Sequence, residues 1–266
     1  MTSNLQGPPG YERTLLRELA VSDLEGEAML GYARERVPSL AADLEAPELA
    51  RHLGLAGLAG RDIVPTVAGY YCFGKRPQLL KPEWGVAAVR VDGRVLADPL
   101  IANRSIEGAV QELLQGAMDF VERHTQVVAD QVDKTPAHEY PVAALREALT
   151  NALVHRDLRM PARVSVSVFD DRVEVWSPGK LQTKLELDVL AQLGGLSLPR
   201  NPLVAALARG FGMVDQLGRG LPIIRRTSQA HGGSGPTFCS DDLGVRVTIP
   251  SSLRRPARAG RGLEPQ

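Results

Sequence analysis

Cysteine is nearly absent: Cys72 and Cys239 are the only two in 266 residues. That excludes a disulfide-stapled scaffold, and neither cysteine has a metal-site partner at useful spacing. Both are flanked by apolar or small residues and are expected as buried free thiols. Long apolar runs are missing too. None approaches the ~20 residues of a membrane span, and no signal peptide opens the chain, so no membrane contact and a cytoplasmic location are expected. Net charge is absent, with 31 Lys and Arg against 31 Asp and Glu, which gives no bulk attraction to nucleic acid or membrane. There is no internal repeat. There is also no basic base-reading helix and no RNP, zinc-finger or homeodomain pattern. What the chain does have is 44% hydrophobic residues, enough for a sizeable core over two modest domains.

The most informative stretch is Glu147-Ala-Leu-Thr-Asn151-Ala-Leu-Val-His155-Arg-Asp157. At 100° per residue, Glu147, Asn151 and His155 fall within about 80° of one another on a helix. Leu145, Leu149, Ala152 and Leu153 are expected on the opposite side. A carboxylate can orient water, and an amide oxygen can ligate a hard cation such as Mg2+. On spacing alone, an ordinary amphipathic helix with a solvated polar face is the better reading.

The residues that follow add to this. Arg163 to Phe169 alternates, with Val164, Val166 and Val168 against Arg163, Ser165 and Ser167. Asp170-Asp171 offers a turn and Arg172 to Trp176 alternates again, so a hairpin with one buried face is predicted. It runs into a backbone break at Ser177-Pro178-Gly179. Later, Gly218-Arg219-Gly220-Leu221 precedes Pro222-Ile-Ile-Arg-Arg226. Glycines just before a helix let its N-terminus approach phosphate oxygens, and Pro222 suits a first turn. A lone G-x-G is a weak signal; the ordered series is a strong one.

This series resembles the nucleotide-binding domain of the GHKL (Bergerat-fold) group, which includes gyrase-type ATPases and histidine kinases. It is most similar to bacterial proteins in which that domain follows a Schlafen/AlbA-like DNA-binding domain, and which are described as ATP-binding transcriptional regulators. The matching text is Tyr140 to Asp157, Asp171 to Gly179, Ser197-Leu-Pro-Arg-Asn-Pro202 and Gly212 to Leu221, with Ala68 to Pro77 matching the middle segment of that family. It covers roughly residues 30 to 250.

The resemblance implies roles. Asn151 matches the asparagine that ligates Mg2+ in ATP-binding members. Glu147 matches the acid that activates water in hydrolysing ones. Gly179 matches the glycine of the adenine-side motif, and Gly218, Arg219, Gly220 and Leu221 fall on the phosphate-side lid. Ser177 stands where most members place the aspartate that receives the adenine amino group. A serine can accept that hydrogen bond but brings no charge. The segment Ser177 to Leu181 also lacks the motif's second glycine.

His155-Arg-Asp-Leu158 copies the start of a protein-kinase catalytic loop. The metal-binding Asn would then be residue 162, which is alanine; no D-F-G follows and no Gly-rich loop precedes.

The expected fold class is α/β (α+β): a two-layer Bergerat-type sandwich after a smaller helical and strand-containing domain. Residues 1–12 are expected disordered, 13–130 form the N-terminal domain, 140–251 the ATP-binding domain, and 252–266 a disordered basic tail. That tail is read as solubilising rather than nucleic-acid binding. Within the first domain, Glu12 to Leu58 reads as helical, as a small winged-helix-like piece or a helical cap. Residues 64–98 read as strand-rich, with a hairpin at Asp92-Gly93, and Ile106 to Arg123 reads as a long helix. The relatives carry their DNA-binding domain before the segment that starts here near residue 30, and the chain has no room for it. Three readings stay open: that function has shifted, that another chain supplies DNA contact, or that the gene is truncated.

Two functions follow. One is an ATP- and Mg2+-binding regulatory protein, a slow ATPase in its hydrolysing form, in which nucleotide closes a lid and changes the interface to a protein partner or a second copy. The other is a degenerate GHKL-fold interaction module without useful nucleotide binding.

Overall fold

The computed structural model describes residues 10–129, 136–183, 185–195, 198–214, 218–232 and 234–253. The expected disorder of 1–9 and of the tail beyond 253 lies outside these residues, as does Ser197.

The helices are α1 (Gly26–Arg36), α2 (Pro38–Asp43), α3 (Ala46–His52), α4 (Val67–Phe73), α5 (Pro77–Leu80), α6 (Val110–His124), α7 (Val142–His155), α8 (Leu187–Leu193), α9 (Pro202–Gly210) and α10 (Gly220–Ala230). The strands are β1 (Ala56–Ala59), β2 (Asp62–Pro65), β3 (Val86–Val91), β4 (Leu100–Ile106), β5 (Val127–Ala129), β6 (Pro136–His138), β7 (Val164–Val168), β8 (Arg172–Pro178), β9 (Thr237–Ser240) and β10 (Gly244–Pro250).

The expected α/β sandwich is present. Six strands form one mixed sheet in the order β4-β3-β7-β8-β10-β9. The β3–β7 pair is parallel and the other four pairings are antiparallel. The alternation read in the sequence sets its faces: Val164, Val166, Val168, Val173 and Val175 are at most 2% exposed. They pack beneath α6 and α7, as a sheet with one covered face requires. The sheet crosses the boundary drawn at residues 130–140, because β3 and β4 come from before it. One hydrophobic cluster also runs from Leu16 and Met29 through Phe73, Trp84 and Leu113 to Leu149 and Ile249.

Several local expectations are corrected. Leu15, Leu16 and Leu19 do not start a helix. Leu15 bridges to Thr66, and the Leu16 N–H donates to the Pro65 carbonyl at 2.8 Å. Residues 64–98 are not mainly strand. Thr66 caps α4 by accepting from the Gly69 N–H at 3.0 Å, and Gly69 lies so close to the Leu55 backbone that a Cβ could not be placed there. Tight helix packing of the Ala68 to Phe73 segment therefore overrides its β-like composition. The turn at Asp92-Gly93 is wider than a two-residue hairpin, since β4 begins only at Leu100.

At the N-terminus, residues 10–12 are ordered. Tyr11–Arg13 form a 3-10 turn, and Glu12, 2% exposed, accepts from the N–H groups of Leu203 and Val204 at 2.9 to 3.0 Å. At the other end, Ser251 and Ser252 donate to the Glu139 carboxylate and carbonyl, both at 2.7 Å, so the first tail residue is packed. Cys72 is buried as expected. Cys239 is exposed, because it lies on edge strand β9.

Candidate functional site

Helix α7 is the ruler of the site. Its Ala- and Leu-rich sequence suits a buried helix, and Leu145, Leu149 and Leu153 are at most 4% exposed. The chain leaves the helix at Arg156, and its terminal carbonyls are met by side chains from the Arg200-Asn201 pair. Asn201 Nδ2 donates to the carbonyls of Val154 and Arg156, each at 2.9 Å, and Arg200 Nε to that of His155 at 3.3 Å. Glu147, Asn151 and His155 occupy one face, with steps of four residues, or about 6 Å of axial rise each. Asn151 Nδ2 donates to Glu147 Oε1 at 3.2 Å. Ala152, assigned from the sequence to the opposite side, is buried but lines the same cavity as these residues.

The floor is strand β8 beside β10, with Val175, Ser177 and Val247 facing α7. Ser177 is buried, and its Oγ donates to the Ala152 carbonyl at 2.9 Å. The backbone break after it is held by Gly179 at φ +106°, a conformation L side chains rarely adopt. A Cβ at Gly179 would also sit 2.7 Å from Asp157 Cβ. Strand end and helix end are stitched there, because the Asp157 N–H donates to the Pro178 carbonyl at 2.7 Å.

The third wall is the start of α10. Gly218 has φ +60° and its carbonyl accepts from the Gly195 N–H at 3.2 Å. A Cβ on Gly220 would fall on Glu147 Oε1 and lie 2.9 Å from Asn151 Nδ2. Glycine is thus required by the approach of α10 to α7, whatever else approaches it.

The walls enclose a cavity of about 190 Å³. Glu147, Asn151, Ser177, Gly179, Gly218, Arg219, Gly220 and Leu221 all line it, so every site residue chosen from the sequence reaches one place. The structure adds Lys180, Arg200 and Arg209, making four cations with Arg219, while Glu147 is the one acid among the described lining residues. Arg200 was quoted in the sequence as part of a matching motif, without a role. Nothing in the pattern around Arg209, on α9, pointed to the site.

Electrostatics at the far end from Glu147 are settled internally. The Arg159 guanidinium, at 2.7 and 2.9 Å, holds the Asp157 carboxyl below the usual carboxylate range against the opposing effect of burial, and Arg200 adds a contact at 3.2 Å. Burial, with Arg200 nearby, lowers His155 to about 4, so its imidazole is neutral at pH 7. Among the described residues no group of three His, Cys, Asp or Glu side chains could hold a metal by itself. No helix among them is long and apolar enough to cross a membrane.

A family match supports an ATPase-like domain in the second half of the chain. Residues 162–249, roughly a third of the chain, match the family described as "Putative ATP-dependent DNA helicase recG C-terminal". The match includes Ser177, Gly179 and Gly218 to Leu221 but begins after α7, so it leaves out Glu147 and Asn151. Among solved structures, the chain is similar to the DIP2311 protein from Corynebacterium diphtheriae, with 23% identity and a TM-score of 0.67, over 93% of this chain and 48% of that one. The two share a fold, and the chain spans about half the length of that relative. A comparison with curated proteins found no match.

Proposed function

We propose that the chain is a GHKL-type regulatory protein that binds ATP with Mg2+ in the cavity between α7, β8 and α10. The observation that carries this reading is convergence: eight residues chosen for nucleotide chemistry line one cavity whose other charged groups are cations. A triphosphate needs such an excess of positive charge, and the glycines at the start of α10 allow backbone N–H groups near phosphate oxygens.

Along α7, Glu147 and His155 are separated by about 12 Å of axial rise, a span suited to phosphates at one end and a base at the other. In this reading the phosphates lie at the Glu147 end, near Gly218 and Gly220, and the base lies at the other, near Ser177, Gly179 and His155. Asn151 suits Mg2+, because its Nδ2 is committed to Glu147 and its amide oxygen remains for a hard cation. Mg2+ takes few protein ligands and completes its shell with phosphate and water, in keeping with a site that has no acidic cluster. Bound there, the metal would neutralise phosphate charge. Glu147 orients water for slow hydrolysis, and Asn151 holds Glu147 in place.

The regulatory reading, in transcription and through a protein partner or second copy, rests on the family resemblance. A second reading, an interaction module without useful nucleotide binding, is favoured by Ser177 and by the missing second glycine. Titration calorimetry with ATP and a non-hydrolysable analogue separates the two: binding that strengthens with Mg2+ supports the first, and no heat with either nucleotide supports the second.

A further inference from the structure

At the end of the cavity remote from Glu147, Asp157, Arg159 and Arg200 satisfy one another's charge. Asp157 is engaged by Arg159 and Arg200. With its amide oxygen and nitrogen exchanged, Gln182 accepts from the Arg200 guanidinium at 3.1 and 2.9 Å. Arg200 also donates to the carbonyls of His155 and Lys180. Neutral polar groups also line the cavity, and two of them, the Ser177 hydroxyl and the His155 imidazole, stand beside this cluster.

Both groups can reverse their hydrogen-bonding role. With its proton on the Ala152 carbonyl, as here, Ser177 Oγ accepts through its lone pairs. Rotated, the same hydroxyl donates into the cavity, and the Ala152 carbonyl remains within an intact helix. A carboxylate at this position could only accept. The neutral imidazole is one donor and one acceptor, exchanged by a change of tautomer. A 6-amino purine presents a donor at position 6 and a 6-oxo purine an acceptor, with the opposite change at N1.

We infer that the Ser177 and His155 end of the cavity takes 6-amino and 6-oxo purines alike, so that the ligand class is purine nucleoside triphosphates rather than adenine nucleotides alone. This rests on the nucleotide reading above and names its substrate class. A site fixed as acceptor rejects the wrong partner by leaving a buried polar group unpaired, which can reach about 10⁴-fold discrimination. A reversible hydroxyl leaves neither base unpaired.

The test is calorimetric titration of the full chain with the Mg2+ complexes of ATP and inosine triphosphate, which differ only at position 6 and N1. The wild type is expected to bind both with dissociation constants within about fivefold, under about 1 kcal/mol of difference. Ser177→Asp is expected to retain ATP and lose inosine triphosphate, shifting the ratio at least about 30-fold. Ser177→Ala is expected to weaken both without changing the ratio. A wild type that prefers ATP by about 100-fold or more overturns this inference while leaving nucleotide binding intact. Binding of neither nucleotide overturns the nucleotide reading itself. If Ser177→Asp does not fold, the wild-type ratio decides alone.

Discussion

Asn151 donates its side-chain amide to Glu147 Oε1 at 3.2 Å, one turn along the same helix, and the first residue of α10, Gly220, closes over both. The two polar residues are therefore one unit. The amide holds the carboxylate, the carboxylate leaves the amide oxygen available, and the glycine sets how near the α10 N-terminus can come.

Glu147→Gln separates binding from turnover. A general base contributes about 10²- to 10⁴-fold to rate and little to ground-state affinity. The variant is expected to keep nucleotide and to lose hydrolysis by that factor in a phosphate-release assay. Turnover equal to wild type would remove Glu147 from the chemistry. Gly220→Val, by contrast, drives a branched side chain into Glu147, so it is expected to disturb α7–α10 packing as well as any phosphate contact. A loss of binding there is informative only alongside an unfolding curve.

Glu12 is expected to matter for stability although it does not line the cavity. Its carboxylate is the acceptor for two N–H groups in the first turn of α9. Glu12→Ala leaves them unpaired in a buried setting, which costs about 1–3 kcal/mol, while Glu12→Gln keeps one oxygen acceptor and should cost less. Urea unfolding of the two variants checks the order; equal midpoints for wild type and Glu12→Ala would contradict it.

His155 gives a pH dependence of known sign. Its pKa falls from 6.5 to about 4 on folding, so above pH 6.5 it is neutral in both states and contributes no slope. As pH falls from 6.5 towards 4, the unfolded chain takes up a proton that the folded chain refuses, and stability declines. His155→Gln should flatten the stability curve between pH 6.5 and 4. An unchanged slope in that window would show that the ring is not held neutral.

The site was legible in the sequence wherever chemistry and period coincide. Glu147, Asn151 and His155 repeat every four residues, Val164 to Val168 alternate, and glycines mark the two places where backbone comes close. What was not legible depends on contacts distant in sequence. Glu12 reads as part of a polar terminus until α9 is seen to start on it, 191 residues away. Leu15 and Leu16 have helical spacing but pair with Thr66 and Pro65 instead. Strands β3 and β4 join the later sheet through the parallel β3–β7 pairing, a crossover that no local pattern specifies. Arg209 comes to the cavity on α9, a helix whose sequence gives no sign of it.

The most direct test of the account is calorimetric titration of Mg-ATP into the wild type and Asn151→Ala. The variant loses one hydrogen bond, worth about 1 kcal/mol of stability, and should remain folded. Wild type is expected to bind ATP more tightly with Mg2+ than without it, and Asn151→Ala to bind Mg-ATP at least about tenfold more weakly, a loss of about 1.4 kcal/mol. Mg-ATP affinity unchanged in a folded Asn151→Ala, or no Mg2+ dependence in the wild type, would contradict the account.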